Sequence, residues 1–261
     1  MFLNYGLVKR LRLYWKGNKL HVDEMINNMK NNMAVIGLPR AGKSVLTKRF
    51  FDEFRDDGLA LYINTQWELY FKGYRILKTL EEFNDVSENK IVFNFENNEQ
   101  LIPLVNKLFD TQKLSPNPRP IRIIIDEVYQ FQELDGARKT LTKLVVDGLK
   151  WNIQTVITAH FPQMVYSSIY KNCHIFVFFR LNPMLYDFFK RTWRINLFPL
   201  KDYLAIPYNY IVYDNDFYLK DGTKISLDNY KDTRQIQIKK KKPNWEDGMT
   251  ISEILKKSKQ V

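Results

Sequence analysis

Short runs of consecutive apolar residues alternate with helix-like patterns through most of the chain. The runs are apolar throughout instead of at every second position. Continuous apolar runs are typical of strands buried on both faces of a parallel sheet, with helices in the connections. The pattern therefore predicts an α/β fold with a mainly parallel central sheet flanked by helices. The predicted strands are 33–36, 59–65, 91–95, 121–126, 155–158 and 175–179, and the predicted helices are 43–55, 99–110, 136–149 and 164–170.

The two ends of the chain have a different pattern. The first 22 residues alternate between apolar and polar positions around a KGNK turn, which predicts a small N-terminal hairpin. From Tyr208 onward, polar turns at 214–216 and 221–222 separate short runs and predict C-terminal antiparallel strands. We therefore predict four segments, which are a basic N-terminal hairpin and linker at 1–30, a core at 31–206, C-terminal strands at 207–230 and a basic tail at 231–261.

Positive charge is concentrated at both ends. The chain carries 40 Lys and Arg against 29 Asp and Glu, a net charge of +11. Residues 1–21 and 231–261 contribute +5 each, so the intervening part is nearly neutral. Basic ends are typical of proteins that contact polyanions, and nucleic acid is the commonest such partner. The alternative is that these ends only increase solubility.

Composition narrows the class of protein. An apolar content of 45% with 15% aromatic residues is enough for a packed core and excludes a disordered chain. The single cysteine, Cys173, excludes an intrachain disulfide framework. The apolar run at 175–179 is too short to span a bilayer, and basic residues occupy the place of a signal peptide's apolar core. We expect an unsecreted protein without a transmembrane segment.

A phosphate-binding loop lies between the first predicted strand and the first predicted helix. The sequence GLPRAGKS, at 37–44, matches the pattern G-x-x-x-x-G-K-[ST]. In such a loop the backbone N–H groups surround phosphate oxygens, the lysine contacts the β- and γ-phosphates, and the Ser44 hydroxyl binds Mg²⁺. The predicted nucleotide-binding residues are Gly37, Leu38, Pro39, Arg40, Ala41, Gly42, Lys43, Ser44 and Val45.

An acidic pair ends the most strand-like run in the chain. Asp126 is expected to hold Mg²⁺ through water, together with Ser44. Glu127 is expected to orient and polarise the attacking water, which distinguishes a hydrolase from a kinase. ATP and Mg²⁺ are therefore the expected ligands, although no motif separates ATP from GTP.

A third polar element follows on the next predicted strand, in the sequence TVITAHFP at 155–162. A polar side chain at the tip of this strand would face the γ-phosphate and respond to its loss. His160 is the first candidate for this role, and Thr158 is the second.

These three elements, in this order, resemble the HerA/FtsK superfamily of P-loop motor ATPases. Within it, the chain is most similar to the genome-packaging ATPases of double-stranded DNA viruses with internal membranes. The resemblance covers roughly residues 30–215. It implies a P-loop NTPase fold and an ATP-hydrolysing motor that moves double-stranded DNA into a capsid. It also implies a ring oligomer, a hexamer or pentamer, with capsid or vertex proteins as further partners, in the host cytoplasm or with the virion.

The resemblance further implies a cation that a neighbouring subunit contributes to the site. Arg180, at the end of the last core strand, is the candidate; the alternatives are Arg191, Arg194 and Lys150. Two positions depart from the family pattern. His160 replaces the usual glutamine, and Lys150 would replace an arginine that often precedes the sensor strand.

Three other functions stay open at this point. One is an assembly ATPase of the filamentous-phage type, which acts on protein instead of DNA but usually carries a transmembrane segment. Another is a DNA-binding switch, which would not need Glu127. The third is a small-molecule kinase, for which no arginine-rich lid is visible.

Overall fold

One ten-stranded sheet organises the part of the chain that the computed structural model describes, residues 29–63, 71–131, 134 and 136–225. In sheet order the strands run β10-β9-β8-β7-β1-β6-β5-β2-β4-β3. They are β1 (Met33–Ile36), β2 (Leu59–Ile63), β3 (Arg75–Leu77), β4 (Lys90–Phe93), β5 (Ile121–Ile125), β6 (Ile153–Ala159), β7 (Ile175–Phe178), β8 (Ile211–Asp214), β9 (Asp216–Leu219) and β10 (Lys224–Ile225).

The first seven strands in the sequence are parallel to one another, and the last three strands pair antiparallel at one edge of the same sheet. Every pairing among the first seven strands is parallel. The last three strands continue the same sheet, with β8 antiparallel to β7. The predicted α/β class, with a mainly parallel sheet and C-terminal antiparallel strands, is confirmed. The predicted N-terminal hairpin and the basic tail lie outside the described residues, apart from the last part of the linker.

Helices cover both faces of this sheet. They are α1 (Lys43–Asp52), α2 (Leu101–Leu114), α3 (Ala137–Asp147), α4 (Ser167–Tyr170), α5 (Pro183–Phe188), which a π-helical turn continues, and α6 (Lys201–Ala205). The longest has 14 residues, and no helix in the described part of the chain is long and apolar enough to cross a membrane. The prediction missed strand β3. It placed helix α2 at 99–110, whereas the helix runs from Leu101 to Leu114.

The core explains why the central strands have no alternating pattern. Every residue of β1, β5 and β6 is buried. Helix α1 packs Phe50 and Phe51 into a cluster with residues of one face of the sheet. On β7, Phe178 points the other way and contacts Phe189 at 4.9 Å between ring centroids. Strands covered on both faces are apolar at most positions instead of at every second one.

Strand order brings the three predicted motifs together. Strand β6 lies between β1 and β5. Because these strands are parallel, their carboxyl ends meet at the same edge of the sheet. In open α/β sheets this edge is where ligands bind. The phosphate loop follows β1, the acidic pair follows β5 and His160 follows β6.

Candidate nucleotide-binding site

The phosphate loop is anchored to the carboxyl ends of β6 and β7, the two strands on either side of β1. Gly37 N donates to Ala159 O at 3.2 Å, and Leu38 N donates to Arg180 O at 2.8 Å. A Cβ atom on Gly37 would lie 2.6 Å from Cβ of Phe179, which is too close for any side chain. Gly42 has a φ of +112°, a conformation that favours glycine. The path of the loop therefore requires glycine at both glycine positions of the motif.

Lys43 places its ammonium group inside this loop. The side chain is only 5% exposed, and Nζ donates to Gly37 O at 2.9 Å and to Leu38 O at 3.3 Å. Burial lowers the pKa of Lys43, and the neighbouring carboxylates of Glu127 and Asp126 act in the opposite direction. The cation thus lies where the loop amides would surround a phosphate.

The acidic pair is buried directly behind the loop. Asp126 and Glu127 are 2% and 6% exposed. Asp126 Oδ1 accepts a hydrogen bond from Thr158 Oγ1 at 2.5 Å, and Oδ2 accepts one from the Tyr62 hydroxyl at 3.3 Å. Burial raises the pKa of Asp126, while the hydrogen bond from Thr158 favours the charged form. Two hydroxyl donors therefore fix the orientation of this carboxylate.

Glu127 has a backbone conformation that is uncommon for its residue type. Its φ is +50°, and its backbone N donates to Thr158 Oγ1 at 2.8 Å. A left-handed non-glycine residue persists where its surroundings hold it, and such residues concentrate at functional sites. Here the carboxylate lies beside the phosphate loop, with Oε1 3.5 Å from Lys43 Nζ.

His160 contacts the same carboxylate. Its Nδ1 lies 2.6 Å from Glu127 Oε1, and its ring contacts Tyr129 and Phe161 edge to face. A carboxylate accepts hydrogen bonds, so Nδ1 carries the proton in this contact. The second oxygen, Oε2 of Glu127, is buried and has no hydrogen-bond partner among the described residues. His160 thus fixes the orientation of the Glu127 carboxylate through Oε1.

Two further polar residues connect the loop helix to the acidic pair. The Tyr62 hydroxyl lies 3.0 Å from Thr47 Oγ1, which in turn donates to Lys43 O at 3.1 Å. Burial and the nearby Asp126 raise the pKa of Tyr62 well above its ordinary value, so it stays a proton donor. The sequence analysis predicted a role for neither residue. For Tyr62 the signal was a hydroxyl within an otherwise apolar strand.

The oxygen donors fit a magnesium ion that is bound together with a nucleotide. Among the described residues, no group of three or more His, Cys, Asp and Glu could hold a metal ion by itself. Mg²⁺ usually takes one or two carboxylates, with substrate phosphates and water as the other ligands. Ser44, at the start of α1, and Asp126 offer a hydroxyl and a carboxylate of this kind. When bound, the ion would neutralise phosphate charge.

The candidates for a cation from another subunit differ in their surroundings. Arg180 is exposed beside the loop, and its side chain has no ion-pair partner within the described residues. Arg191 and Arg194 are also exposed, near the end of the π-helical turn. Lys150 forms an ion pair with Asp147 at 2.8 Å. Arg180 is thus the candidate nearest to the phosphate loop.

Comparison with known proteins identifies the fold. No protein-family model and no curated protein matches the chain. The genome-packaging NTPase B204 of Sulfolobus turreted icosahedral virus 2, solved with AMPPCP, matches with a TM-score of 0.56 and 16% identity, over 76% of this chain and 97% of B204. The chain shares the fold of this protein. The B204 protein of Sulfolobus turreted icosahedral virus, described as a DNA-packaging ATPase, matches with a TM-score of 0.54 and 14% identity, over 75% and 96% of the two chains.

This comparison confirms the fold that the resemblance implied. The shared fold includes nearly the whole of B204, so its likeness to this chain is not confined to one motif. At such identity the likeness concerns the fold alone.

Proposed function

We propose that this protein hydrolyses ATP and uses the free energy to translocate double-stranded DNA, packaging a viral genome into a capsid. One observation carries the ATPase part of the proposal. The ammonium of Lys43, the carboxylate of Glu127 and the imidazole of His160 form one cluster at the phosphate loop, in which Lys43 and Glu127 are buried. A phosphate-binding cation and a general base therefore lie side by side.

The cluster supports a simple division of tasks during hydrolysis. The loop amides and Lys43 bind the β- and γ-phosphates. The Glu127 carboxylate accepts a proton from water as the water oxygen bonds to the γ-phosphorus and the bond to the ADP oxygen breaks. His160 holds Oε1 of Glu127, and Thr158 holds Asp126 beside it. ADP and inorganic phosphate leave as products.

Two observations support DNA as the polymer that is moved. The excess positive charge lies at the two ends of the chain, and such charge favours contact with nucleic-acid phosphates. The structures that share the fold include a protein described as a DNA-packaging ATPase. The same reasoning extends to a ring oligomer, because Arg180 lies exposed beside the loop and is available to a neighbouring site.

We expect duplex DNA to increase the rate of ATP hydrolysis by about tenfold. The stimulation should decrease steeply between about 50 and 200 mM salt, because phosphate contacts release counterions. The measurement is release of inorganic phosphate with and without duplex DNA, with Lys43→Ala as the inactive control. Single-stranded DNA and heparin distinguish a duplex-specific effect from a response to any polyanion.

Two results would overturn parts of the proposal. If the protein hydrolyses ATP at a rate that does not change when duplex DNA is added, the DNA-motor proposal is contradicted. That result would favour an ATPase that acts on protein. A wild-type protein that releases no phosphate under any condition would contradict the ATPase itself.

A further inference from the structure

Tyr208 stands beside the phosphate loop in an unusual conformation. Its side chain is 59% exposed, and its φ is +61°. A left-handed backbone is unfavourable for a side chain of this size, so it persists only where the surroundings hold it. The hydrolytic cluster does not involve this residue.

The ring of Tyr208 contacts the loop directly. Its Cδ1 atom lies 3.1 Å from the position that a Cβ would take on Gly42, the residue that precedes Lys43. Phe179 lies at 3.0 Å from the same position and fills the inner side. Phe179 is buried and Tyr208 is exposed, so the tyrosine forms the outer wall of the loop at this point.

Nearby residues of the same chain hold the backbone of Tyr208 in this place. Its carbonyl oxygen accepts a hydrogen bond from Lys220 Nζ at 3.2 Å, and Asn209 N donates to Ile206 O at 3.2 Å. The buried ring of Tyr210 packs on Phe179 at 5.3 Å between centroids. These contacts hold the backbone at Tyr208 in place, so the ring is positioned beside the loop before a ligand binds.

The ring itself has no competing partner. Among the described residues, the side chain of Tyr208 forms no ring pair and no hydrogen bond. A nucleotide whose phosphates lie in the loop must extend its nucleoside past the rim of the loop. A fixed, exposed aromatic ring at that rim offers the base a stacking surface.

We propose that Tyr208 stacks on the base of the bound nucleotide and selects purine nucleotides over pyrimidine nucleotides. This inference rests on nucleotide binding at the phosphate loop, as proposed above. Stacking depends on the area of the base and not on its hydrogen-bonding pattern. ATP and GTP should therefore bind with similar affinity, and CTP and UTP more weakly.

Calorimetric titration of the full-length chain with ATP, CTP and inorganic tripolyphosphate, each with Mg²⁺, tests this proposal. In Tyr208→Ala we expect the Kd for ATP to rise about tenfold, as is typical for loss of one base–aromatic stack. The Kd for CTP should rise less, so the purine preference shrinks. The Kd for tripolyphosphate, which has no base, should change by less than about twofold.

Matched variants separate stacking from other effects. Tyr208→Phe keeps the ring without the hydroxyl and should bind ATP like the wild type, whereas Tyr208→Leu should resemble Tyr208→Ala. Phe198→Ala removes an aromatic side chain that is 42% exposed and packs on Tyr186, and it should change no Kd.

Failure of this inference differs from failure of the proposed function. If Tyr208→Ala weakens ATP and tripolyphosphate equally, or weakens neither, Tyr208 does not stack on the base while the ATPase proposal stands. If the wild type binds neither ligand, the phosphate loop is not a nucleotide site and both proposals fail.

Discussion

Arg180→Ala is expected to lower the rate of ATP hydrolysis by roughly 10³-fold or more while nucleotide affinity stays unchanged. Charge builds on the γ-phosphate in the transition state, and a cation inserted from the next subunit accounts for about this factor in related chemistry. The backbone carbonyl of Arg180 accepts a hydrogen bond from Leu38 N of its own loop, and removal of the side chain leaves that contact in place. The measurements are phosphate release under saturating ATP and the Kd for ATP, with Arg75→Ala, at an exposed arginine of the edge strand β3, as the control.

Mixed assemblies test whether Arg180 acts on a neighbouring subunit. Arg180→Ala subunits keep an intact phosphate loop, and Lys43→Ala subunits keep an intact arginine. Mixing the two inactive variants should restore activity that neither has alone. If both variants assemble and mixing restores nothing, Arg180 does not act in trans, and Arg191, Arg194 and Lys150 become the candidates.

Glu127→Gln is expected to bind ATP with Mg²⁺ but to hydrolyse it at least about a hundredfold more slowly, as follows from loss of a general base. Glutamine has the same shape, and its amide oxygen can still accept the hydrogen bond from His160 Nδ1, so the geometry of the site should persist. Phosphate release in a single turnover, with excess enzyme, measures the chemical step. A variant that turns over at the wild-type rate would remove Glu127 from the mechanism.

Substitutions of Lys43 and His160 test whether the residues that contact Glu127 act on ATP binding or on the rate of hydrolysis. Lys43→Ala should lose ATP affinity, which Glu127→Gln keeps. His160→Ala should lower the rate without changing affinity, because Oε1 of Glu127 loses its 2.6 Å contact, and His160→Gln should recover part of the rate by donating to the same oxygen. If His160→Ala weakens ATP binding instead, its role is to contact the phosphate.

The strands of this fold were predictable because their burial is visible locally. Met33–Ile36 and Ile175–Phe178 are apolar and buried at every position, which is typical of strands covered on both faces. The three-residue strand β3 was missed because it lies at the edge of the sheet, where only Leu77 is buried. A short edge strand has no burial pattern that sequence alone can reveal.

The site was predictable only as separate motifs. The loop at 37–44, the pair Asp126 and Glu127, and His160 were each recognised from local sequence. The contact between His160 and Glu127 could not be predicted in this way, because it depends on β6 lying between β1 and β5. Strand order is a property of the whole sheet and leaves no mark on a single segment.

Residues outside the motifs were harder to identify. Tyr62 lies within an apolar strand, and only its contact with Asp126 gives the hydroxyl a role. Tyr208 lies 166 positions after Gly42, and its backbone conformation is visible only in the folded chain. Both acquire significance from packing between segments that are distant in sequence.

Movement along duplex DNA is the central claim, and displacement of a third strand measures it most directly. A labelled oligonucleotide is bound as a triplex at one end of a long duplex, and its release is followed after ATP is added. The account predicts that the wild type releases the third strand only with hydrolysable ATP and that Glu127→Gln does not release it. Active ATP hydrolysis without release, or equal release without ATP, would contradict it.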